Sequence, residues 1–223
     1  MKRRLLSLGL AAVVLTGLLT GCGSTRKIVA SETYEVDKNP AVTVEGDWIV
    51  PGKDRELTFQ ADGTYTSTIS SSMNGKYVYY KDIEGFALAD AFDQLTYVVL
   101  SDSDGKEQIF SAVLGDVMVG YHNQDQCYYF RKDREIVPET DFLGSWIDAS
   151  GGKYTMTLQA DGTGKLGEAD DLRDCTYRYS EDTGYLTITD EDTEQEYAVG
   201  MYEGYLFLMT VGNYYSMYLY QPA

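Results

Sequence analysis

The chain has little histidine, proline or positive charge. Its 223 residues include one His, four Pro and 18 Lys and Arg against 35 Asp and Glu, for a formal net charge of −17. So few cations cannot neutralise a run of phosphates, which argues against a nucleic-acid partner. The single histidine, His122, supports neither a Ser-His-Asp triad nor a His-rich metal site. Its Gly-Tyr-His-Asn context is typical of a turn.

The motifs of common enzyme classes are also missing. The sequence contains no Gly-x-Ser-x-Gly, no His-Glu-x-x-His and no phosphate-cradling glycine loop. An EF-type calcium loop around Asp102–Gly105 would need acids at the positions of Leu100 and Ser111. Carboxylates are so numerous that no two stand out as a glycosidase pair. We therefore predict a protein that is not an enzyme and that holds no metal and no cofactor.

The one long apolar run lies near the start of the chain. Leu5–Leu19 has 15 residues, fewer than the roughly 20 that a transmembrane helix needs. It follows the basic residues Lys2, Arg3 and Arg4 and precedes small residues, which is the layout of a secretory signal peptide. An uncleaved transmembrane helix is the alternative.

The end of this run, Leu19-Thr20-Gly21-Cys22, resembles the lipobox of bacterial lipoproteins. The resemblance implies cleavage before Cys22 and a diacylglyceryl group on its sulfur. Residues 1–21 are then the signal peptide, and residues 22–43 are the lipidated Cys and a polar tether. Two acyl chains hold a protein on a bilayer far better than one. The implied location is the extracytoplasmic face of the cell membrane, with the membrane as a partner through the N-terminal lipid.

Two segments of the chain occur twice. Gly46–Ile49 reappears as Gly144–Ile147, and Thr58–Thr64 reappears as Thr157–Thr163, at offsets of 98 and 99. A shared Gln-Ala-Asp-Gly-Thr run with Trp in register indicates a tandem duplication. We place the two copies at 44–132 and 142–223, joined by a linker over 133–141.

Each copy has the pattern of consecutive short strands. The abundance of Tyr and Gly, at 20 and 22 residues, favours β-structure with many turns. In the second copy, eight strand-like segments fall within fewer than 80 residues, the spacing of an all-β barrel or sandwich. Asp62-Gly63, Asn74-Gly75 and Asp161-Gly162 are expected to supply the positive-φ residues of tight hairpins. We predict an all-β chain of two tandem small antiparallel up-and-down β-barrels.

The opening Gly-x-Trp of each copy, followed by a strand and an Asp-Gly hairpin, resembles the start of the lipocalin-like (calycin) β-barrels of bacterial lipoproteins. In that superfamily the Trp closes one end of the barrel, often with an Arg near the last strand stacked on it. The resemblance implies barrel-closing roles for Trp48 and Trp146, with Arg131 as the stacking residue of the first copy. The second copy has no Arg near its end. A small eight-stranded barrel fills its own interior or holds one small ligand, and short strands favour the filled case.

The first copy carries an insertion that the second lacks. Tyr80 matches Tyr179 at an offset of 99, whereas Leu95 matches Leu186 at 91, so eight extra residues lie between Tyr80 and Leu95. Long connections are usually functional or disordered, and exposed apolar loops mark contact sites. We predict that the apolar residues of segment 81–94 contact a ligand or partner. The alternative is that they pack over the barrel end or against the second copy. The residues that carry this prediction are Phe86, Leu88 and Phe92.

The cysteines left after lipidation, Cys127 and Cys175, occupy non-equivalent positions in different copies. Disulfides form outside the cytoplasm, but this one would require the two domains to pack face to face. We therefore predict two separate buried thiols. Strand alternation also assigns four tyrosines to outer faces of the barrels: Tyr77, Tyr79, Tyr218 and Tyr220.

Together these features predict a lipid-anchored, extracytoplasmic binding or interaction protein without catalytic activity. Its partner is an unknown protein or a small ligand. A carrier that holds a small apolar ligand inside one barrel is the second hypothesis. A hydrolase that acts on cell-wall polymers is the third.

Overall fold

The computed structural model describes residues 34–223 except 55, 70–72, 84–85, 87, 89–90, 93, 123–124, 192 and 213–215. Cys22 and the segment that resembles a signal peptide lie outside the described residues. The lipidation of Cys22 therefore stays a prediction.

Two closed antiparallel barrels of eight strands each follow one another along the chain, which confirms the predicted fold class. Every strand pairs with its neighbours in sequence, and the first strand of each barrel pairs with the last. The first barrel consists of β1 (Gly46–Ile49), β2 (Glu56–Phe59), β3 (Thr64–Ser67), β4 (Gly75–Tyr80), β5 (Thr96–Asp102), β6 (Glu107–Leu114), β7 (Val117–His122) and β8 (Asp125–Arg131). After a single helical turn, α1 (Glu139–Phe142), the second barrel consists of β9 (Gly144–Asp148), β10 (Tyr154–Leu158), β11 (Thr163–Glu168), β12 (Asp171–Ser180), β13 (Tyr185–Asp190), β14 (Thr193–Tyr202), β15 (Tyr205–Thr210) and β16 (Met217–Pro222).

The Asp-Gly hairpins form as predicted, but the Asn-Gly hairpin does not. Gly63 and Gly162 have φ angles of 83° and 81°. In each turn the preceding aspartate accepts hydrogen bonds from the threonine two residues later, which lower the pKa of its carboxyl group. Gly75 lacks a positive φ and lies in β4, where an added Cβ would be 1.9 Å from the carbonyl oxygen of Ser101. Glycine is needed there because β5 approaches closely, not because of a turn.

The first copy is longer than the sequence comparison indicates. Tyr77 and Tyr177 make the same bonds, from their N–H groups to Gly63 and Gly162 and from their hydroxyls to Gln60 and Gln159. The counterpart of Tyr179 is therefore Tyr79 and not Tyr80. Tyr79 pairs with Val98 and Tyr179 pairs with Leu186, at separations of 19 and 7 positions, so the excess is twelve residues and not eight. Val98 and Leu186 both point into their barrels. The predicted match of Leu95 to Leu186 is therefore wrong. The match of Leu95 to Leu186 differs from the observed one by three positions. Because this is an odd number, it would have placed the strand's inward-facing residues on the outer face.

Side chains fill the interiors of both barrels in the described structure. In the first barrel, an added Cβ on Gly120 would lie 2.7 Å from the Oγ of Ser111 and 2.9 Å from the Cγ2 of Ile109. In the second, an added Cβ on Gly164 would lie 3.1 Å from the Sγ of Cys175 and 2.4 Å from a backbone oxygen. Even one extra methyl group would have to displace its neighbours at these positions. Both barrels are therefore closely packed around these two glycines.

Part of the predicted tether is held against the first barrel. Val36 forms a β-bridge with Tyr80, and the N–H of Asp37 donates to the carbonyl oxygen of Tyr79 at 2.9 Å. Val44 is completely buried below Trp48, in the first barrel's core. From Tyr34 onward the chain therefore belongs to the folded body.

Candidate functional site

The two barrels pack side by side through an apolar seam. In β5, β6, β7, β14 and β15, four or more consecutive residues are buried, so both faces of these strands are covered. Their inward side chains fill the barrels, and their outward side chains join one cluster that includes both barrels. The larger members of this seam are Tyr97, Leu114, Val117, Tyr128 and Phe130 from the first barrel and Phe207, Met209, Met217 and Leu219 from the second.

The seam is closely packed. An added Cβ on Gly200 would lie 2.6 Å from Cε1 of Phe130 and 3.3 Å from Cγ2 of Val117, so a glycine lets β14 of the second barrel approach the first. A backbone hydrogen bond also crosses between the barrels, from the N–H of Gly212 to the carbonyl oxygen of Pro51 at 2.6 Å. These contacts make the two barrels one packed body.

The insertion fills one side of this seam. The ring centre of Phe92 is 4.7 Å from that of Tyr205, 5.8 Å from that of Tyr202 and 6.2 Å from that of Phe207, all in the second barrel. The N–H of Phe92 donates to the carbonyl oxygen of Leu88 at 3.0 Å. Because residues four apart on a helical turn share a face, Leu88 and Phe92 enter the seam together.

Phe86 packs on the opposite wall of the seam. Its ring centre is 5.5 Å from that of Tyr97 and 5.2 Å from that of Tyr121, both in the first barrel. Phe86, Leu88 and Phe92 are only 1%, 3% and 4% exposed, so the predicted exposure of these side chains is not observed. The structure instead shows the alternative, in which the segment packs against the second copy. Contact of these residues with a separate ligand or partner stays a prediction.

Arg134 lies on the linker at the edge of the seam. Its guanidinium carbon is 4.6 Å from the ring centre of Phe130, and an added Cβ on Gly184 would lie 3.0 Å from its terminal nitrogen. Within the described part of the chain, Arg134 makes no ion pair and its Nε has no hydrogen-bond acceptor. Burial lowers the pKa of its guanidinium. Its main observed contact is the cation–π interaction, which joins the linker to the first barrel.

The predicted stacking of Arg131 on Trp48 is present in the first barrel. The guanidinium carbon of Arg131 lies 4.6 Å from the Trp48 ring centre. Its Nη1 and Nη2 donate to the carbonyl oxygens of Glu45 and Thr43, both at 2.7 Å, and its Nε pairs with Asp116 at 3.1 Å. Arg131 thus links the Trp48 ring to the chain that enters β1.

The second barrel closes without an arginine. Trp146 is 5% exposed and lies opposite Pro222 of β16. Its Nε1–H donates to the carbonyl oxygen of Phe142 at 2.8 Å, just as the Nε1–H of Trp48 donates to Val44. The burial of both tryptophans at matching positions agrees with the prediction. The repeated bond shows that the duplicated Gly-x-Trp serves the same structural purpose in each copy.

The two cysteines are separate, buried thiols, as predicted. Cys127 lies in the core of the first barrel and Cys175 in that of the second, and both are free. Burial raises the pKa of Cys127 to about 12 and that of Cys175 to about 11. Since the thiolate is the reactive form, neither thiol is suited to nucleophilic chemistry at neutral pH.

The prediction for the tyrosines is wrong. Tyr77 and Tyr218 belong to the barrel cores, and Tyr79 and Tyr220 pack against those cores. On β16 the alternate residues Met217 and Leu219 face outward and enter the seam. Alternation identified which residues share a face, but it could not identify the inner face when both faces are covered. The missed signal was a set of uninterrupted apolar runs, which are typical of strands buried on both faces.

The acidic segment that invited a calcium interpretation is a hairpin turn. Asp102 accepts hydrogen bonds from the N–H groups of Asp104 and Lys106 and from the Nε2 of Gln108. In the described part of the chain, no group of three or more His, Cys, Asp or Glu residues is placed to hold a metal ion. Nor does any helix among the described residues have the length and apolar character to cross a membrane.

The described structure therefore has closely packed barrel interiors, a closed apolar seam between the barrels and an outer surface that is exposed to solvent. No protein-family model matches the chain, and a search of curated proteins found no match to its sequence.

Proposed function

We propose that this protein is a lipid-anchored, extracytoplasmic binding protein without catalytic activity, built from two lipocalin-like barrels. The Leu-Thr-Gly-Cys sequence at 19–22 supports the anchor, and the tandem barrels fit the lipocalin-like interpretation of the two Gly-x-Trp motifs. The observation that supports surface binding is the close packing of core side chains around Gly120 and Gly164, one in each barrel. Close packing of the interiors favours recognition at the outer surface.

The packing disfavours the carrier hypothesis. A carrier needs an internal space lined mainly by apolar groups. Gly120 and Gly164 instead lie so close to core atoms that not even a methyl group fits without displacement. The seam offers no alternative pocket of this kind at Gly200, where an added Cβ would lie 2.6 Å from Phe130.

The seam supports binding of a partner by both barrels together. Joined domains whose interface is large and apolar move little relative to each other. A partner that spans both barrels would then meet a preformed surface and lose less conformational entropy on binding.

The anchor is tested by substitution of Cys22. We expect Cys22→Ala to abolish incorporation of labelled palmitate and to leave an unprocessed precursor, because the lipid is attached to the missing sulfur. The matched control is Cys175→Ala, which removes a thiol of the second barrel's core and should leave labelling unchanged. Palmitate on the Cys22→Ala chain at the wild-type level would overturn the anchor.

Native mass spectrometry distinguishes binding at the surface from carriage. We expect the purified mature chain to show the mass of the lipidated polypeptide alone, since the barrel cores are filled. Additional mass that is released on unfolding would favour the carrier. Activity against cell-wall polymers that persists through purification would overturn the non-catalytic assignment.

A further inference from the structure

An exposed apolar patch lies where the described chain begins. Val36 and Val78 are 46% and 38% exposed, and the one other large apolar residue of comparable exposure in the described chain is Leu172 of the second barrel. Val36 bridges Tyr80, and Val78 precedes Tyr80 by two residues on β4, so the three side chains share a face. The ring of Tyr34 lies 6.2 Å from that of Tyr80. We call Tyr34, Val36, Val78 and Tyr80 the N-terminal patch.

The N-terminal patch faces away from the barrel interior. Tyr77 and Tyr79, which alternate with Val78 and Tyr80 on β4, belong to or pack against the core of the first barrel. The patch rests on the outer edge of the seam, since Tyr34 and Tyr80 pack against the seam cluster. The rings of Tyr34 and Tyr80 therefore pack against the seam cluster, while Val36 and Val78 are exposed to solvent.

Charges of both signs lie next to the patch in the sequence. The described charged residues within two positions of it are Lys38, Lys76 and Lys81 with Glu35, Asp37 and Asp82. Lys81 forms an ion pair with Glu35. The patch is thus flanked by cations as well as carboxylates, although the whole chain has a net charge of −17. Nearby cations reduce the repulsion between an acidic chain and an anionic membrane.

The length of the preceding chain keeps the patch near the anchor. Eleven residues separate Cys22 from Tyr34, and a fully extended chain of that length spans no more than about 40 Å. The anchor thereby raises the effective concentration of the bilayer surface at this end of the first barrel. An apolar contact too weak to act alone then becomes significant.

We propose that the N-terminal patch lies against the headgroup region of the membrane to which the chain is anchored. The proposal rests on the lipid anchor proposed above. Valine side chains enter the boundary between headgroups and acyl chains, and tyrosine is suited to the same boundary because its ring is apolar and its hydroxyl polar. The lipid and the patch form two membrane contacts, and the combination fixes which face of the protein points away from the membrane.

The test places an environment-sensitive fluorophore on the patch of the lipidated full-length mature chain. Val78→Cys provides the attachment point, and Leu172→Cys on β12 provides a matched control that is 44% exposed. The native thiols at Cys127 and Cys175 are buried and do not compete for the label. Each labelled chain is incorporated into vesicles of phosphatidylcholine and phosphatidylglycerol that contain a spin-labelled phosphatidylcholine as quencher. Flotation of the vesicles measures anchoring separately.

We expect the label at position 78 to lose about half of its emission and the label at 172 to lose little, since interfacial side chains sit roughly 5–10 Å into the headgroup boundary. Flotation without preferential quenching at position 78 would overturn the membrane contact and leave the anchor intact. Failure to float would overturn both. A shift in the emission of the label at 78 that depends on protein concentration, and not on lipid, would identify a second copy as the occupant and overturn the proposal.

Discussion

Phe92→Ala should lower the free energy of unfolding by about 3–5 kcal/mol, the range for large-to-small aromatic substitutions in cores. Phe92 is 4% exposed and its ring lies within 6.2 Å of three aromatic rings of the second barrel. Its loss leaves a cavity at the point where the insertion joins the two barrels. Urea unfolding followed by circular dichroism measures the change.

The matched control for this experiment is Leu172→Ala. Leu172 is also large and apolar, but it is 44% exposed on β12 and far less covered by neighbours. Surface substitutions of this kind usually change stability by no more than about 0.5 kcal/mol. If both variants proved equally stable, Phe92 would not be part of a packed seam, and the insertion would again become a candidate for contact with a partner.

Trp48→Ala should also cost about 3–5 kcal/mol. Trp48 is completely buried, donates its Nε1–H to Val44 and supports the guanidinium of Arg131. The substitution removes the ring and leaves the carbonyl oxygen of Val44 and the face of Arg131 without their partner. Chemical unfolding of the variant gives the loss directly.

The same variant tests whether the seam couples the two barrels. The chain contains two tryptophans, so Trp48→Ala leaves Trp146 as the single tryptophan reporter, inside the second barrel. We expect the Trp146 fluorescence transition to move to lower urea together with the circular dichroism transition, because loss of the first barrel exposes the seam residues of the second. An unshifted Trp146 transition beside a two-step circular dichroism curve would show that the barrels unfold independently. Trp146→Ala, with Trp48 as the reporter, is the reciprocal experiment.

Local signals in the sequence were sufficient for the repeating unit of this protein. The Asp-Gly pairs at 62–63 and 161–162 form positive-φ turns whose aspartates bond the threonine two residues later, and such turns depend on a few adjacent residues. The matched Gly-x-Trp motifs predicted two tryptophans at equivalent buried positions, and the repeated Nε1–H bonds agree. Duplication strengthened these predictions because the same motifs occur at matching positions in both copies.

The candidate site was less accessible to sequence reasoning. Phe86, Leu88 and Phe92 stand out as apolar residues in an insertion, but whether such residues are exposed depends on what lies across from them. Their neighbours include Tyr121 on β7 and Tyr205 on β15, which are distant in the chain. The exposed valines of the N-terminal patch gave no sequence signal either, because a β-bridge between residues 36 and 80 brings them together.

Periodicity and short-range chemistry in the sequence were enough to predict a duplicated all-β chain, its Asp-Gly hairpins and its buried tryptophans. The tertiary structure decided which strand faces point inward, where the insertion packs and which apolar residues stay at the surface. The physical reason is that strand alternation has a period of two and relates residues only within a strand. When both faces of a strand are apolar, the choice between core and seam is made by the packing of the two barrels against each other.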